Sequence, residues 1–355
     1  MKNLKGKVIG LVLILFLVSV KSEACTRIIY VGKDENILTA RTMDWKYEMD
    51  ATLWIFPRGI KRNGLTGKNS IEWVSKYGSV IVSSMEIATS DGVNEKGLAA
   101  NLLWLGESQY PLVKKADHPM SLSLWAQYVL DNFSTVNEVV KTLEKNPLVL
   151  VTSDVPEQNR KATLHLSLSD VTGDSAIIEY VNGKQVIYHS KNYKILTNSP
   201  TYEKQLAISS YWKGIDGLQM LPGTNKSSDR FVKADFYTNI IPKDLTGFEA
   251  VGAVLSILRN VSVPFGIGTN ETPEISSTRW RTVFDHKNKN YYFDSVLSPN
   301  VIWTDLNKID FSFETGKIKK LPLGKKQDIV YNGEVNDSFV EAIPFNFLGT
   351  KVSIK

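Results

Sequence analysis

A lone cysteine in a chain laid out for export limits the fold more than any other feature of this sequence. Lys2, Lys5 and Lys7 precede the apolar run Val8–Val20, and Ser22-Glu23-Ala24 leads directly into Cys25. A basic start, a short apolar stretch and small residues at minus three and minus one form the layout of a cleaved secretory signal. The run is too short for a bilayer, which needs about 20 apolar residues, so no transmembrane segment is expected and the product is placed in the periplasm or outside the cell. In an oxidising compartment cysteines usually occur in pairs, yet this chain has one. No internal disulfide can staple it. The residues from Cys25 onward must be held by a hydrophobic core, and 43% hydrophobic residues in a chain of this length suffice for one. Cys25 itself is left as buried ballast, a lipid attachment point, an intermolecular bridge or a working thiol.

The formal charge of +5 overstates the basicity of the exported part, because Lys2, Lys5, Lys7 and Lys21 fall within the signal against Glu23 alone. No dense Lys/Arg tract remains, which argues against nucleic acid as a partner. His118, His165, His189 and His286 are scattered and none has metal-ligand spacing, so no metal and no cofactor is expected. His165 and His189 fall in strand-like runs and read as structural or surface residues.

The pattern along the chain is one of hairpins and helix pairs. Thr26–Val31 and Ile37–Met43 flank a five-residue loop, a spacing that sets Cys25 opposite Met43 and puts Arg41 on the face of Cys25. By the same parity Asp44 points to the other face unless a bulge or the strand end re-aims it. Residues 79–87 and 97–105 read as a second strand pair around a loop over 88–96. Residues 121–133 and 135–143 read as helices, the second opened by a Thr135-x-x-Glu138 capping box. Residues 163–168 alternate strictly, and 175–181 and 184–190 flank Asn182-Gly183, a strong hairpin signal. Helices follow over 228–241 and 248–261, then strands over 280–284 and 291–296. Without regular βαβ units, this order predicts an α+β fold. Nothing marks an internal boundary, so residues 25–355 are expected to form one domain.

Cleavage after Ala24 would put a thiol and a free α-amine on one residue. The thiol is the stronger nucleophile, and the α-amine, with a pKa of about 7.7–8.0, is unprotonated far more readily than a lysine. One residue then supplies both nucleophile and general base, with no need of histidine. The competing reading is a lipidated exported binding protein, although a lipoprotein signal prefers an apolar residue where this chain has Ser22.

Further motifs bear on that choice. Cys25-Thr-Arg, Ala40-Arg-Thr-Met-Asp-Trp45, Ser90-Asp-Gly-Val-Asn-Glu-Lys-Gly-Leu98, Leu196-Thr-Asn-Ser-Pro200 and Asp229-Arg-Phe-Val-Lys233 occur in order. Together they resemble the choloylglycine hydrolase family of N-terminal-nucleophile hydrolases, which includes bile salt hydrolases and penicillin V acylases. The resemblance implies a four-layer αββα sandwich and hydrolysis of a linear amide. Cys25 would attack the carbonyl and form a thioester, Arg41 would favour the thiolate, and Asp44 would orient the α-amine. Asn198 would donate to the oxyanion together with a backbone N–H, and Arg230 matches the family's second active-site arginine. Trp45 and Trp104, where bile salt hydrolases carry smaller polar residues, resemble the Gram-negative penicillin V acylase branch and would wall a pocket for an aromatic or fatty acyl group. The implied substrate is a small amide such as phenoxyacetyl penicillin, with N-acyl homoserine lactones and then bile salts as alternatives. The family also implies a homo-oligomer, commonly a tetramer.

Overall fold

The computed structural model describes residues 25–156, 160–268, 276–324 and 330–352, so the signal-like segment 1–24 lies outside the described residues. The opening hairpin forms in the register that its loop length dictates. Strand β1 (Cys25–Val31) pairs antiparallel with β2 (Ile37–Trp45), Cys25 opposite Met43 and Arg27 opposite Arg41. Both strands are buried on both faces, which fits their position inside a seven-stranded sheet. Ile195–Leu196 pairs on the outer side of β1, and Ser277–Asp285 then Asn290–Ser295 follow β2.

The second sheet has nine strands, with Lys184–His189, Ser175–Val181, Leu164–Ser169, Ala99–Trp104, Ala88–Asn94, Ser79–Ser84 and β3 (Thr52–Phe56) as neighbours in that order. Alternate residues of its strands serve two separate cores, because successive side chains point to opposite faces. Leu53, Ile55, Val80, Val82 and Leu103 pack with the first sheet. Trp54, Phe56, Ile81 and Leu102 pack beneath α1 (Trp125–Asn132) and α2 (Val136–Lys145). On the far side of the first sheet lie α4 (Ser227–Ile240) and α5 (Gly247–Asn260), with α3 (Tyr202–Lys213) packed on α4. Helices, sheet, sheet, helices: the four-layer αββα sandwich is the observed architecture.

The capping box at α2 forms with a shift. Thr135 Oγ1 accepts from Glu138 N at 3.2 Å, while the Glu138 carboxylate reaches back one residue further, to Ser134 N and Oγ, both at 2.8 Å. The Asn182-Gly183 turn also forms, both residues having the positive φ (53° and 73°) that a type I′ turn demands.

One expectation is corrected. Residues 88–94 are not a loop but a central strand, and Ser79–Ser84 and Ala99–Trp104 each pair with it and not with each other. Ser, Asp, Gly and Asn are poor strand formers by propensity, but here interior partners satisfy each of them. Ser90 Oγ donates to Val82 O at 3.0 Å, and Asn94 Nδ2 donates to Leu130 O and Phe133 O at 2.9 and 2.7 Å. Gly92 is required by space, since a Cβ there would stand 2.6 Å from Ile81 Cγ2 and 2.8 Å from Val80 O. Among the described residues no helix is long and apolar enough to cross a membrane.

Candidate active site

β1 delivers Cys25 at its first position, and pairing opposite Met43 turns the side chain into the space between the sheets. The residue is only 4% exposed. Its Sγ lies 3.2 Å from Arg41 Nη2 and 3.9 Å from Met43 Sδ. Arg41, two residues from Met43 and therefore on the same face, has a partner for every N–H group of its guanidinium. Nε donates to Thr42 O (3.1 Å), Nη1 to Ser90 O (3.0 Å) and Leu102 O (2.7 Å), and Nη2 to Cys25 Sγ and Met43 Sδ. The guanidinium also lies 5.2 Å over the Trp280 ring. Ser90 and Leu102 belong to the second sheet, so this cation is fixed by both sheets at once.

Burial pushes the Cys25 thiol up from its ordinary pKa, more than the Arg41 charge pulls it down. The nearby Asp44 charge pushes the same way as burial, while a weak contact to the Asp44 carbonyl and the Arg230 charge oppose it. A thiol held neutral beside a fixed cation suits removal of its proton by a base, after which the cation stabilises the sulfur anion.

Asp44 keeps the face that its parity assigns. It accepts from Thr42 Oγ1 at 3.3 Å and from Thr278 Oγ1 at 2.5 Å, on the opposite side of β2 from Arg41. The irregularity between Thr278 and Trp280 in the neighbouring strand does not re-aim it. Complete burial pushes its carboxyl up to about 6, against the pull of Arg230, Thr278, Arg41 and Thr42.

Asn198 stands in the loop after Ile195–Leu196, the strand that pairs with β1, which brings it to the Cys25 main chain. Its Oδ1 accepts from Cys25 N at 2.6 Å and from Arg230 Nη2 at 2.9 Å, and its Nδ2 donates to Trp104 O at 2.8 Å. Trp104 thus offers Asn198 a main-chain carbonyl. Arg230, on α4, does not reach the sulfur. It clamps the main chain, Nη1 donating to Cys25 O (2.6 Å) and Thr26 Oγ1 (2.5 Å) and Nε to Asn225 O (3.0 Å). The neighbouring Asp229 turns away to accept from Thr224 N and Oγ1.

Beside Cys25 opens a cavity of about 130 Å³, walled mainly by apolar side chains including Met43, Trp45, Met49, Trp104 and Leu348. The Trp45 and Trp104 ring centroids are 5.5 Å apart at 48°. No histidine lines it. His165 is buried between Glu179 and Thr197 O, as its strand context predicts. Among the described residues no group of His, Cys, Asp and Glu could hold a metal ion.

The structure therefore brings Cys25, Arg41, Asn198 and Arg230 together around one sulfur and its main chain, with Trp45 and Trp104 in the cavity beside them, whereas the Asp44 carboxylate, expected to orient the Cys25 nitrogen, bonds Thr42 and Thr278 and leaves that nitrogen to Asn198 Oδ1. Three neighbours went unread. Asp91 sat inside a quoted motif, but apart from Asn101 beside it the groups it meets, Arg41, Thr282 and Tyr291, come from the other sheet. Arg160 lies over Trp104 at 4.0 Å and Trp45 at 5.4 Å, and no local pattern marks it. Leu348 reaches the cavity from the far end of the chain.

Comparison with known proteins agrees with this geometry. The sequence pattern of the linear amide C–N hydrolases of the choloylglycine hydrolase family matches residues 25–319. A penicillin V acylase from Pectobacterium atrosepticum is 50% identical, with 98% of each chain covered. The solved structure of a penicillin V acylase from Agrobacterium tumefaciens superimposes with a TM-score of 0.85 at 55% identity, covering 92% of this chain and 100% of that one. A bile salt hydrolase/transferase from Clostridium perfringens is more distant, at 26% identity over 80% of this chain and 93% of its own. The chain belongs to the choloylglycine hydrolase family of linear amide C–N hydrolases.

Proposed function

We propose that this linear amide hydrolase is a penicillin V acylase-like enzyme, exported and cut before Cys25, that removes an aromatic or short apolar acyl group from an amine. The observation that carries the reading is the Cys25 sulfur, 3.2 Å from a fully engaged Arg41, at the side of an apolar cavity faced by two indoles. Such walls suit a flat ring or short chain. The 50% identity to the Pectobacterium enzyme supports the same substrate class. A diacylglyceryl group on this sulfur would have to displace Arg41 and Met43 from a site that is 4% exposed, which speaks against the lipid-anchor alternative.

In the proposed mechanism the liberated α-amine of Cys25 takes the thiol proton, and the thiolate, steadied by Arg41, attacks the amide carbonyl. Asn198 has one N–H on Trp104 O and a second left for the oxyanion, where a backbone N–H joins it. The amine leaves with the proton carried by the α-amino group, and water then hydrolyses the thioester. Asn198 Oδ1 on the Cys25 nitrogen and Arg230 on the Cys25 carbonyl hold that main chain so that nitrogen and sulfur keep their relative position. Assembly into a homotetramer, as the family resemblance implies, belongs to the same proposal.

The test is amine release from penicillin V, an N-acyl homoserine lactone and a glycine-conjugated bile salt by protein that begins at Cys25. Penicillin V should be cleaved with the highest kcat/KM. Preference for the bile salt would overturn the substrate assignment. Protein with one extra residue before Cys25 should fold and yet be inactive, as should Cys25→Ala, and full activity in the extended form would reject the α-amine as base.

A further inference from the structure

The cavity beside Cys25 is closed in part by a segment that belongs to neither sheet. Residues 342–350, which form no helix or strand, pack through Ala342, Phe345 and Phe347 on the second sheet's outer side, beyond residue 319 where the match to the family pattern ends. Aromatic residues anchor the segment. Phe345 packs 5.3 Å from Trp54 and 4.5 Å from Phe347, and Arg62 lies 5.4 Å from the Phe347 ring. Main-chain bonds then fix its height. Leu348 N donates to Ile87 O at 2.9 Å, and Leu348 O accepts from Ser121 Oγ at 2.6 Å and Ser123 Oγ at 2.8 Å. Thr350 N donates to Leu65 O at 2.8 Å, a close approach that Gly349 eases, since a Cβ there would stand 3.0 Å from that oxygen.

Both main-chain groups of Leu348 are bound, which fixes where its backbone stands, and the residue is part of the cavity wall. The residues holding it, Ile87, Ser121 and Ser123, line the same cavity, whereas Cys25 and Met43 stand on the first sheet. The sulfur is thus carried by the first sheet and the leucine by a segment outside both large sheets, with Trp45 and Trp104 also in the wall. We propose that this C-terminal strap is the far wall of the acyl cavity and that Leu348 sets its depth, and with it the longest acyl chain whose carbonyl still reaches Cys25. The inference rests on reading Cys25 as the group that receives the acyl carbon, and it assigns the acyl-length limit to a residue outside the family's shared region.

Unbranched alkyl bromomethyl ketones of increasing chain length test it. Each alkylates the thiolate, sulfur displacing bromide with loss of the thiol proton, and the labelling rate read by intact mass reports how well each chain fits. Wild type should show a rate that rises with length and then falls. Leu348→Ala should move that fall to longer chains by one or two carbons, each newly buried methylene raising the rate about 4-fold. Leu348→Phe should move it to shorter chains, and iodoacetamide, whose short acetamide group leaves the depth of the cavity unprobed, should label all three proteins alike. The same length profile in all three would overturn the proposal, as would a uniform change at every length. Should either variant fail to fold, the other still reads the shift. The profile measures depth whether or not an amide is turned over, so wild type that labels normally yet releases no amine would overturn the catalytic reading and not this one.

Discussion

Arg41 leaves no N–H group unbound, and among the described residues one carboxylate stands at ion-pair distance from it. Asp91 Oδ2 lies 3.8 Å from Arg41 Nε, both side chains essentially unexposed. Asp91 accepts from Asn101 Nδ2 at 2.7 Å, from Thr282 Oγ1 at 3.3 Å and from the Tyr291 hydroxyl. Burial pushes the Asp91 carboxyl up, while Arg41 and these donors pull it back. The carboxylate therefore moderates how much positive charge Arg41 presents to sulfur, and Asp91 is a positioning residue that acts through Arg41. In Asp91→Asn the negative charge is gone, and the pH at half-maximal alkylation of Cys25 should fall by about one unit, the scale of one buried charge acting across a few residues. The pH dependence of iodoacetamide labelling checks this. A loss of folded protein without a shift in that pH would leave Asp91 with a purely structural role.

Elements differ in how plainly the sequence announces them. The β1–β2 register follows from loop length and parity, which is why the places of Cys25, Met43 and Arg41 are legible in the sequence. Asn182-Gly183 was readable because few residues accept its φ values. The strand 88–94 was not, since its stability comes from partners distant in sequence and not from its own propensity. Helix α3 was missed for a related reason. Its buried face is Tyr202, Gln205 and Ser209, a polar stripe that carries no apolar period. Asn94 shows how much such partners matter. Its Nδ2 bonds two carbonyls at the end of α1, and its Oδ1 accepts from Lys96 N and Leu98 N, both at 3.1 Å. Asn94→Ala would strip partners from main-chain groups in the buried interior, and should lower unfolding free energy by roughly 3 kcal/mol, read from urea denaturation. A loss below about 1 kcal/mol would mean that the strand holds by its ladder alone.

Across the whole molecule the two sheets are joined by directional bonds as well as by apolar contact. Arg27, fully buried on β1, donates to Leu168 O at 2.8 Å on the second sheet, and Arg41 reaches Ser90 and Leu102. At the end of β2 nearest the opening loop, Thr39 Oγ1 bonds Ser169 Oγ at 2.7 Å and His286 Nε2 at 2.8 Å, while His286 Nδ1 bonds Gly97 O at 3.1 Å. The carbonyl can only accept, so Nδ1 carries the proton and Nε2 takes the Thr39 hydroxyl. These bonds set the relative position of the sheets, and with it the distance from Cys25 on one to Trp104 on the other. Their weak point is acid. Burial lowers the His286 pKa to about 3, with the Arg27 charge adding to burial and Asp170 and the Gly97 carbonyl opposing it. Unfolded, the ring takes a proton below about 6.5, and folded it refuses one until far lower pH, so its contribution is fully present above that value and is lost as the pH falls. Between pH 6.5 and 4 the wild type should lose roughly 3 kcal/mol more stability than His286→Gln, whose amide can bond without titrating. Urea midpoints followed across that range decide it. Parallel curves for the two proteins would show that the ring is already charged in the fold, and that the sheets at this end are held by the hydroxyl pair of Thr39 and Ser169 instead.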